Sequence, residues 1–260
     1  MASDFVTLDI DGSPTKTWVA VPDGDGPFPG VVVAQHAGGL DTFVRNVCDR
    51  LAEAGFAAAA PDMYHRQDGM TFEELAAVPQ DDPDRFKKMM AKATQLKDEE
   101  IEADVRASLA HLRSLSQVGS APIGIAGFCG GGRVVYVMSA RVKELSSAAM
   151  FHPGGVPVAR DGRVTAIDLT PEIGCPVAGF FGLEDENPSP AHVAEMDAAM
   201  NDAGIPHEFH SYPGTGHSFL DYTNPKAYRE GPAKEAWESL LTFFNETLEG
   251  GCAGVGRPSP

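Results

Sequence analysis

The stretch Ile123-Gly-Ile-Ala-Gly-Phe-Cys129-Gly-Gly-Gly132 decides the fold. Ile123 to Phe128 reads as a short apolar strand, and Gly131 to Arg141 reads as a helix. Between them, Gly127-Phe-Cys129-Gly-Gly131 fits the pattern Gly-x-nucleophile-x-Gly at a strand-to-helix turn. Such a turn strains the residue at its apex, and only small neighbours let strand and helix approach. It lifts the Cys129 thiol to the C-terminal edge of a sheet. The helix N-terminus behind it favours a thiolate and offers backbone N–H groups. A buried, inert Cys beside a Gly-rich turn is the alternative, and the strand before and helix after argue against it.

Outward from this point the chain alternates strand and helix signals. Phe5 to Leu8 and Thr17 to Val21 flank the turn-like Asp11-Gly12-Ser13-Pro14, which predicts a hairpin. Gly30 to Ala34 and Phe56 to Ala60 are continuous apolar runs, as in strands buried on both faces. Helical spacing covers Phe43 to Ala54, Asp98 to Leu115, His192 to Ala203 and Ala236 to Leu248. Short strands are expected at Ala148 to Phe151, Val177 to Phe181 and Glu208 to Tyr212. Residues 66 to 97 are polar and Pro-dotted, with helix around Asp84 to Met90, and read as an excursion from the sheet. The acidic run Asp98-Glu-Glu-Ile-Glu reads as a helix first turn and no more. The pattern predicts an α/β fold with a mostly parallel central sheet and helices on both faces. It forms one domain over residues 1–248, with a flexible Gly-rich tail at 249–260 that carries an incidental Cys252.

Composition narrows the function. The 260 residues carry 20 Lys plus Arg against 37 Asp plus Glu, a net charge of −17 that disfavours nucleic acid and anionic membrane surfaces as partners. Four Cys without a CxxC pair indicate neither a disulfide scaffold nor structural zinc, and a reducing compartment follows. His207-Glu-Phe-His210 lacks the HExxH spacing, so no metal is expected. The N-terminus shows no secretory pattern and no run reaches membrane-span length, so a cytoplasmic location is expected.

Three further loops carry chemistry. Tyr212-Pro-Gly-Thr-Gly-His217 places a His on a Gly-rich loop after a strand, where it can serve as base to the nucleophile. Phe180-Phe-Gly-Leu-Glu-Asp185-Glu places three acids after the preceding strand, and Glu184, Asp185 and Glu186 compete to orient that His. The order nucleophile, acid, His is that of the α/β-hydrolase triad. Ala34-Gln-His-Ala-Gly-Gly39 follows an early buried strand and supplies an oxyanion-hole N–H from Ala37 or its neighbour, with Gly130 giving the other.

The chain over residues 5 to 248 resembles the dienelactone hydrolase (carboxymethylenebutenolidase) family of α/β-hydrolases. The resemblance rests on Gly127-Phe-Cys129-Gly-Gly-Gly, Pro61-Asp-Met-Tyr64 with Arg66-Gln67, Gly182-Leu-Glu-Asp185 and Gly216-His217-Ser-Phe219. It implies Cys129 as nucleophile, His217 as base and Asp185, through the GxxD spacing, as orienting acid. It also implies a thioacyl-enzyme, a small ester or lactone substrate, no cofactor, and a monomer or homodimer.

The departures from the family are specific. The usual Gln-Glu after the early strand, whose Glu helps activate the Cys, is Gln35-His36 here. The Arg that the founding members place four residues after the catalytic His is Asp221, and a second family Arg is matched loosely by Arg85. Loss of a bidentate carboxylate clamp disfavours an anionic substrate. Tyr64, Arg85, His152 and Phe219 join Gln35 and His36 as expected pocket residues, with His65, Phe86, Met89, Met90 and Phe151 as further apolar-pocket candidates on the same loops and the excursion. Two rival functions are a redox protein with its Cys at a strand–helix turn and a binding protein on an inactive hydrolase scaffold.

Overall fold

The computed structural model describes residues 1–159 and 165–249; the expected tail, apart from Glu249, lies outside these residues. Eight strands form one sheet: β1 (Ala2–Ile10), β2 (Ser13–Val21), β3 (Gly30–Ala34), β4 (Ala57–Pro61), β5 (Ile123–Phe128), β6 (Ala148–Phe151), β7 (Val177–Gly182) and β8 (His207–Tyr212). Their order across the sheet is β1-β2-β4-β3-β5-β6-β7-β8. The strands from β4 to β8 pair in parallel, whereas β1 and β2 pair antiparallel with each other and β2 pairs antiparallel with β4. The expected mostly parallel sheet is therefore the observed one.

Burial follows from the strand period. Every residue of β3, β4, β5, β6 and β7 is buried. Val31 and Val33 face one core with Val44, Leu51, Phe56 and Phe244, while Val32 and Ala34 face a second core with Val105, Leu109, Leu112 and Val135. A strand with apolar side chains on both faces requires helices on both sides. Those helices are α1 (Thr42–Glu53) and α7 (Glu230–Phe244) for the first core, and α4 (Asp98–Ser114) and α5 (Gly130–Arg141) for the second.

Local signals explain the boundaries. Asp41 caps α1 by accepting the Val44 N–H at 3.1 Å. Asp98, Glu99 and Glu100 sit at the positive end of α4, and His111 and Arg113 at its negative end. α6 (Pro190–Ala203) opens on a capping box from Ser189 and closes on Gly204 in the left-handed region.

Several expected boundaries move. The first hairpin turns on Asp11-Gly12 alone, both with positive φ, so strands run to Ile10 and from Ser13. α7 starts at Glu230, six residues before expected, because Pro232 lies in the first turn, where its missing N–H costs nothing. Helix gives way to a π-helical turn at Asn245–Glu249. The excursion holds two helices, α2 (Phe72–Ala76) and α3 (Arg85–Ala93), and a 3₁₀ segment at Ala166–Glu172 was not foreseen.

Candidate active site

Cys129 sits at the turn between β5 and α5 with φ 55° and ψ −119°. A non-glycine residue with positive φ costs of order 1–3 kcal/mol and persists only where the surroundings enforce it. Here they do. A Cβ on Gly127 would fall inside the Gly131 carbonyl, and one on Gly131 inside the Ala34 carbonyl, so strand β5, helix α5 and the end of β3 meet backbone to backbone. The Cys129 N–H donates to the Phe151 carbonyl of β6 at 3.0 Å, and the Cys129 carbonyl accepts from Gly132 at 2.9 Å.

Loops at the C-terminal ends of three other parallel strands converge on the same place. His217, after β8, faces Asp185, after β7, through Nδ1 and Oδ2 at 2.8 Å. The other Asp185 oxygen accepts the Asn187 N–H at 2.8 Å, which fixes the carboxylate. Asp185 is buried while Glu184 and Glu186 are exposed, so only one of the three competing acids holds the ring. His217 and Cys129 line the same cavity, and His217 is the strongest partner acting on the Cys129 thiol.

Burial raises the Cys129 pKa, but the His217 hydrogen bond and charge, then the His36 charge and the Gly130 N–H, carry it below the usual thiol value. Burial likewise lowers His217, and Asp185 together with Cys129 more than reverses this, to about 10. Each group thus shifts the other towards its charged form.

The loop after β3 forms the opposite wall. Ala37 is buried there, and its carbonyl accepts the Tyr64 hydroxyl hydrogen at 3.0 Å. Gln35 Oε1 accepts the Met63 N–H at 3.3 Å. His36 Nε2 lies 2.9 Å from Asp41 Oδ2. Burial depresses the His36 pKa, but the charge and hydrogen bond of Asp41 outweigh it and bring it to about 9.

A cavity of about 400 Å³ opens over Cys129. Gln35, His36, Ala37, Gly130, Asp185 and His217 line its reactive end. Phe86, Met90, Ala93, Leu96, Ile101 and Val134 line an apolar lobe contributed by α3, the turn after it, α4 and α5. Phe86 is 72% exposed at the rim.

Not every expected pocket residue lines this cavity. The Arg85 guanidinium turns away to the Val78 carbonyl, and its neighbour Phe86 takes the wall instead. One residue along a helix rotates a side chain by about 100°, so the loose match at Arg85 fails geometrically. His152 and Phe219 are buried behind His217 rather than beside substrate. The His152 ring centre lies 4.7 Å from that of His217 and 6.2 Å from that of Phe219. Burial, aided by the His217 and His36 charges, pushes the His152 pKa well down, so this ring packs as a neutral group.

Other lining residues were missed in the sequence. Arg133 holds Asp98 bidentately at 2.8 and 3.2 Å on the cavity wall. Its signal was its position one turn after Cys129 on the same helix face. Asp98 was read only as a helix-terminal charge. Asn187, also on the wall, accepts the Gly155 N–H at 3.0 Å.

The sequence profile of the Dienelactone hydrolase family matches residues 15–248. This chain belongs to that family. A Synechocystis sp. protein named "Putative carboxymethylenebutenolidase" is 30% identical over 246 residues, covering 94% of this chain and 97% of its own. A Methylorubrum extorquens protein of the same name is 28% identical over 231 residues, covering 87% and 75%. A Klebsiella pneumoniae structure titled "Putative Dienelactone Hydrolase" superposes with a TM-score of 0.80 at 27% identity, covering 95% of this chain and all of the other. The sheet described above is that of the α/β-hydrolase fold, and family membership makes the protein a hydrolase of the lactone and ester class. Among the described residues no helix is long and apolar enough to cross a membrane.

Proposed function

We propose that the protein hydrolyses small, uncharged esters or lactones through a Cys129–His217–Asp185 triad and a thioacyl-enzyme. The observation that carries this reading is the His217 ring, held by buried Asp185 at 2.8 Å and lining one cavity with the strained Cys129. The Cys129 thiolate attacks the substrate carbonyl carbon. The carbonyl oxygen becomes an oxyanion facing the N–H groups of Gly130 and Ala37, where one such donor is worth on the order of 2.7–4 kcal/mol. Protonated His217 then gives its proton to the leaving oxygen as the C–O bond breaks. Water attacks the thioester, His217 takes its proton, and the thiolate leaves. Asp185 keeps the imidazole oriented and stabilises its charged form.

The substrate class follows from the walls. The lobe is apolar, and the one Arg on its lining is already neutralised by Asp98. Asp221, four residues after His217, is buried and accepts from Thr223 instead of presenting a cation. A carboxylate-bearing lactone therefore meets no open guanidinium. Described Cys48, Cys129 and Cys175 are free thiols, which fits activity in the reducing cytoplasm.

The test is hydrolysis of p-nitrophenyl acetate by wild type and Cys129→Ala, followed from the first turnover. The reading expects a burst and steady turnover in wild type and neither in the variant. Unchanged turnover in the variant overturns it.

A further inference from the structure

Cys129 has a second Asp–His pair beside it, and the triad does not use it. His36 lines the same cavity as the nucleophile, on the loop that also carries Ala37. Its Nε2 is 2.9 Å from Asp41 Oδ2, and the pair is buried. The other Asp41 oxygen is tied to the Val44 N–H at 3.1 Å, so the carboxylate is fixed at the start of α1. The ring packs edge-on against Phe43 at 5.7 Å, and a Cβ on Gly38 would collide with ring atom Cε1. The imidazole thus has one place to sit, and Nδ1 has no hydrogen-bond partner among the described residues.

We propose that His36, clamped by Asp41, is a positioning residue for Cys129: a second charged imidazole that keeps the sulfur a thiolate in the free enzyme. The inference rests on Cys129 as nucleophile. It gives the residue that replaces the family's usual Glu a role of opposite sign. A carboxylate in that place repels a thiolate; an imidazolium attracts it.

The charged groups around His36 are consistent with this. Asp41 and Asp221 both favour its protonated form, and so does the Cys129 thiolate. Against it stands burial, and the His36 charge in turn helps hold neighbouring His152 neutral. Arg85 acts on Asp41, holding that carboxylate ionised. The thiolate feels His217 first and His36 next.

The experiment measures the fraction of Cys129 thiolate against pH, by absorbance at 240 nm relative to Cys129→Ala and by the rate of iodoacetamide alkylation at the Cys129 peptide. Wild type is compared with His36→Gln, His36→Glu and Asp41→Asn. Asn at 41 keeps a cap on α1 but removes the charge behind the ring, so it serves if the substitutions at 36 do not fold. The expected result is a thiolate titration moved upward by about one pH unit in His36→Gln and Asp41→Asn, a tenfold lower thiolate:thiol ratio at the foot of the curve. His36→Glu moves it further. A merely structural role would lower stability without moving this midpoint. An unchanged midpoint in the folded variants, with Cys129→Ala inactive, overturns the role of His36 and leaves the triad standing. Ester turnover that survives Cys129→Ala overturns the triad itself, and this inference with it.

Discussion

The Tyr64 hydroxyl donates to the Ala37 carbonyl at 3.0 Å, joining the loop after β4 to the loop after β3 across 27 residues of sequence. Both groups are buried. The bond does not touch the nucleophile, yet it anchors Ala37 from its carbonyl side, next to the N–H proposed to face the developing oxyanion.

Tyr64→Phe should therefore do two things. It leaves the Ala37 carbonyl buried without its partner, a loss of about 1–3 kcal/mol in stability. It also loosens the oxyanion loop, so kcat should fall about tenfold while KM changes little, because the donor acts mainly in the transition state. Urea melts and steady-state kinetics on one activated ester check both. A stability loss with unchanged kcat would remove Ala37 from the oxyanion hole.

The Arg133–Asp98 pair predicts a specificity change. Asp98→Asn keeps the shape of the wall but removes the charge that satisfies the guanidinium. Arg133 then becomes an open cation over the apolar lobe, and a carboxylate-bearing lactone should gain about tenfold in kcat/KM, the effect of roughly one charge-assisted hydrogen bond. A neutral ester should gain nothing. Equal changes for both substrates would show that Asp98 matters only for folding.

The elbow offers a paired test. Gly131→Ala drives a Cβ into the Ala34 and Gln35 carbonyls, which are backbone and cannot turn aside. Destabilisation of about 3 kcal/mol, the upper end of overpacking, is expected. One residue earlier a Cβ meets nothing within 4 Å, so Gly130→Ala should hold stability or raise it by about 0.5–1 kcal/mol through helix propensity. Equal melting midpoints for the two variants would mean that strand, helix and β3 are not in contact as described.

How much of this site was legible in the sequence depended on where each residue lies. Cys129, Asp185 and His217 follow strands whose apolar runs are unmistakable, and the ends of parallel strands share one edge of the sheet. Their convergence was therefore readable from element order alone. Arg85 and Phe86 lie on α3, a short helix in an excursion whose rotation no periodicity defines; both are pocket candidates in the sequence, and only Phe86 reaches the cavity. His152 was expected on a pocket wall because it follows β6, but a φ of 37° turns it behind His217. Asp41 was invisible as a partner of His36, since a helix N-cap explains an Asp without any second role.

The buried His36–Asp41 pair also makes stability depend on pH in a defined direction. A raised His pKa means that the folded state binds a proton more tightly than the unfolded chain. The contribution is complete below about pH 6.5, and it is lost as pH rises through about 9. At about 1.36 kcal/mol per pKa unit its size is on the order of 3 kcal/mol. His217, raised to about 10 by Asp185 and Cys129, loses its own contribution over an overlapping range. The difference between wild type and Asp41→Asn isolates the first pair. Wild type should be the more stable near pH 6.5, and the gap should narrow steadily towards pH 10 in urea melts. A gap that stays constant would mean that Asp41 contributes only its cap on α1, and His36 would then be neutral at the pH where the enzyme works.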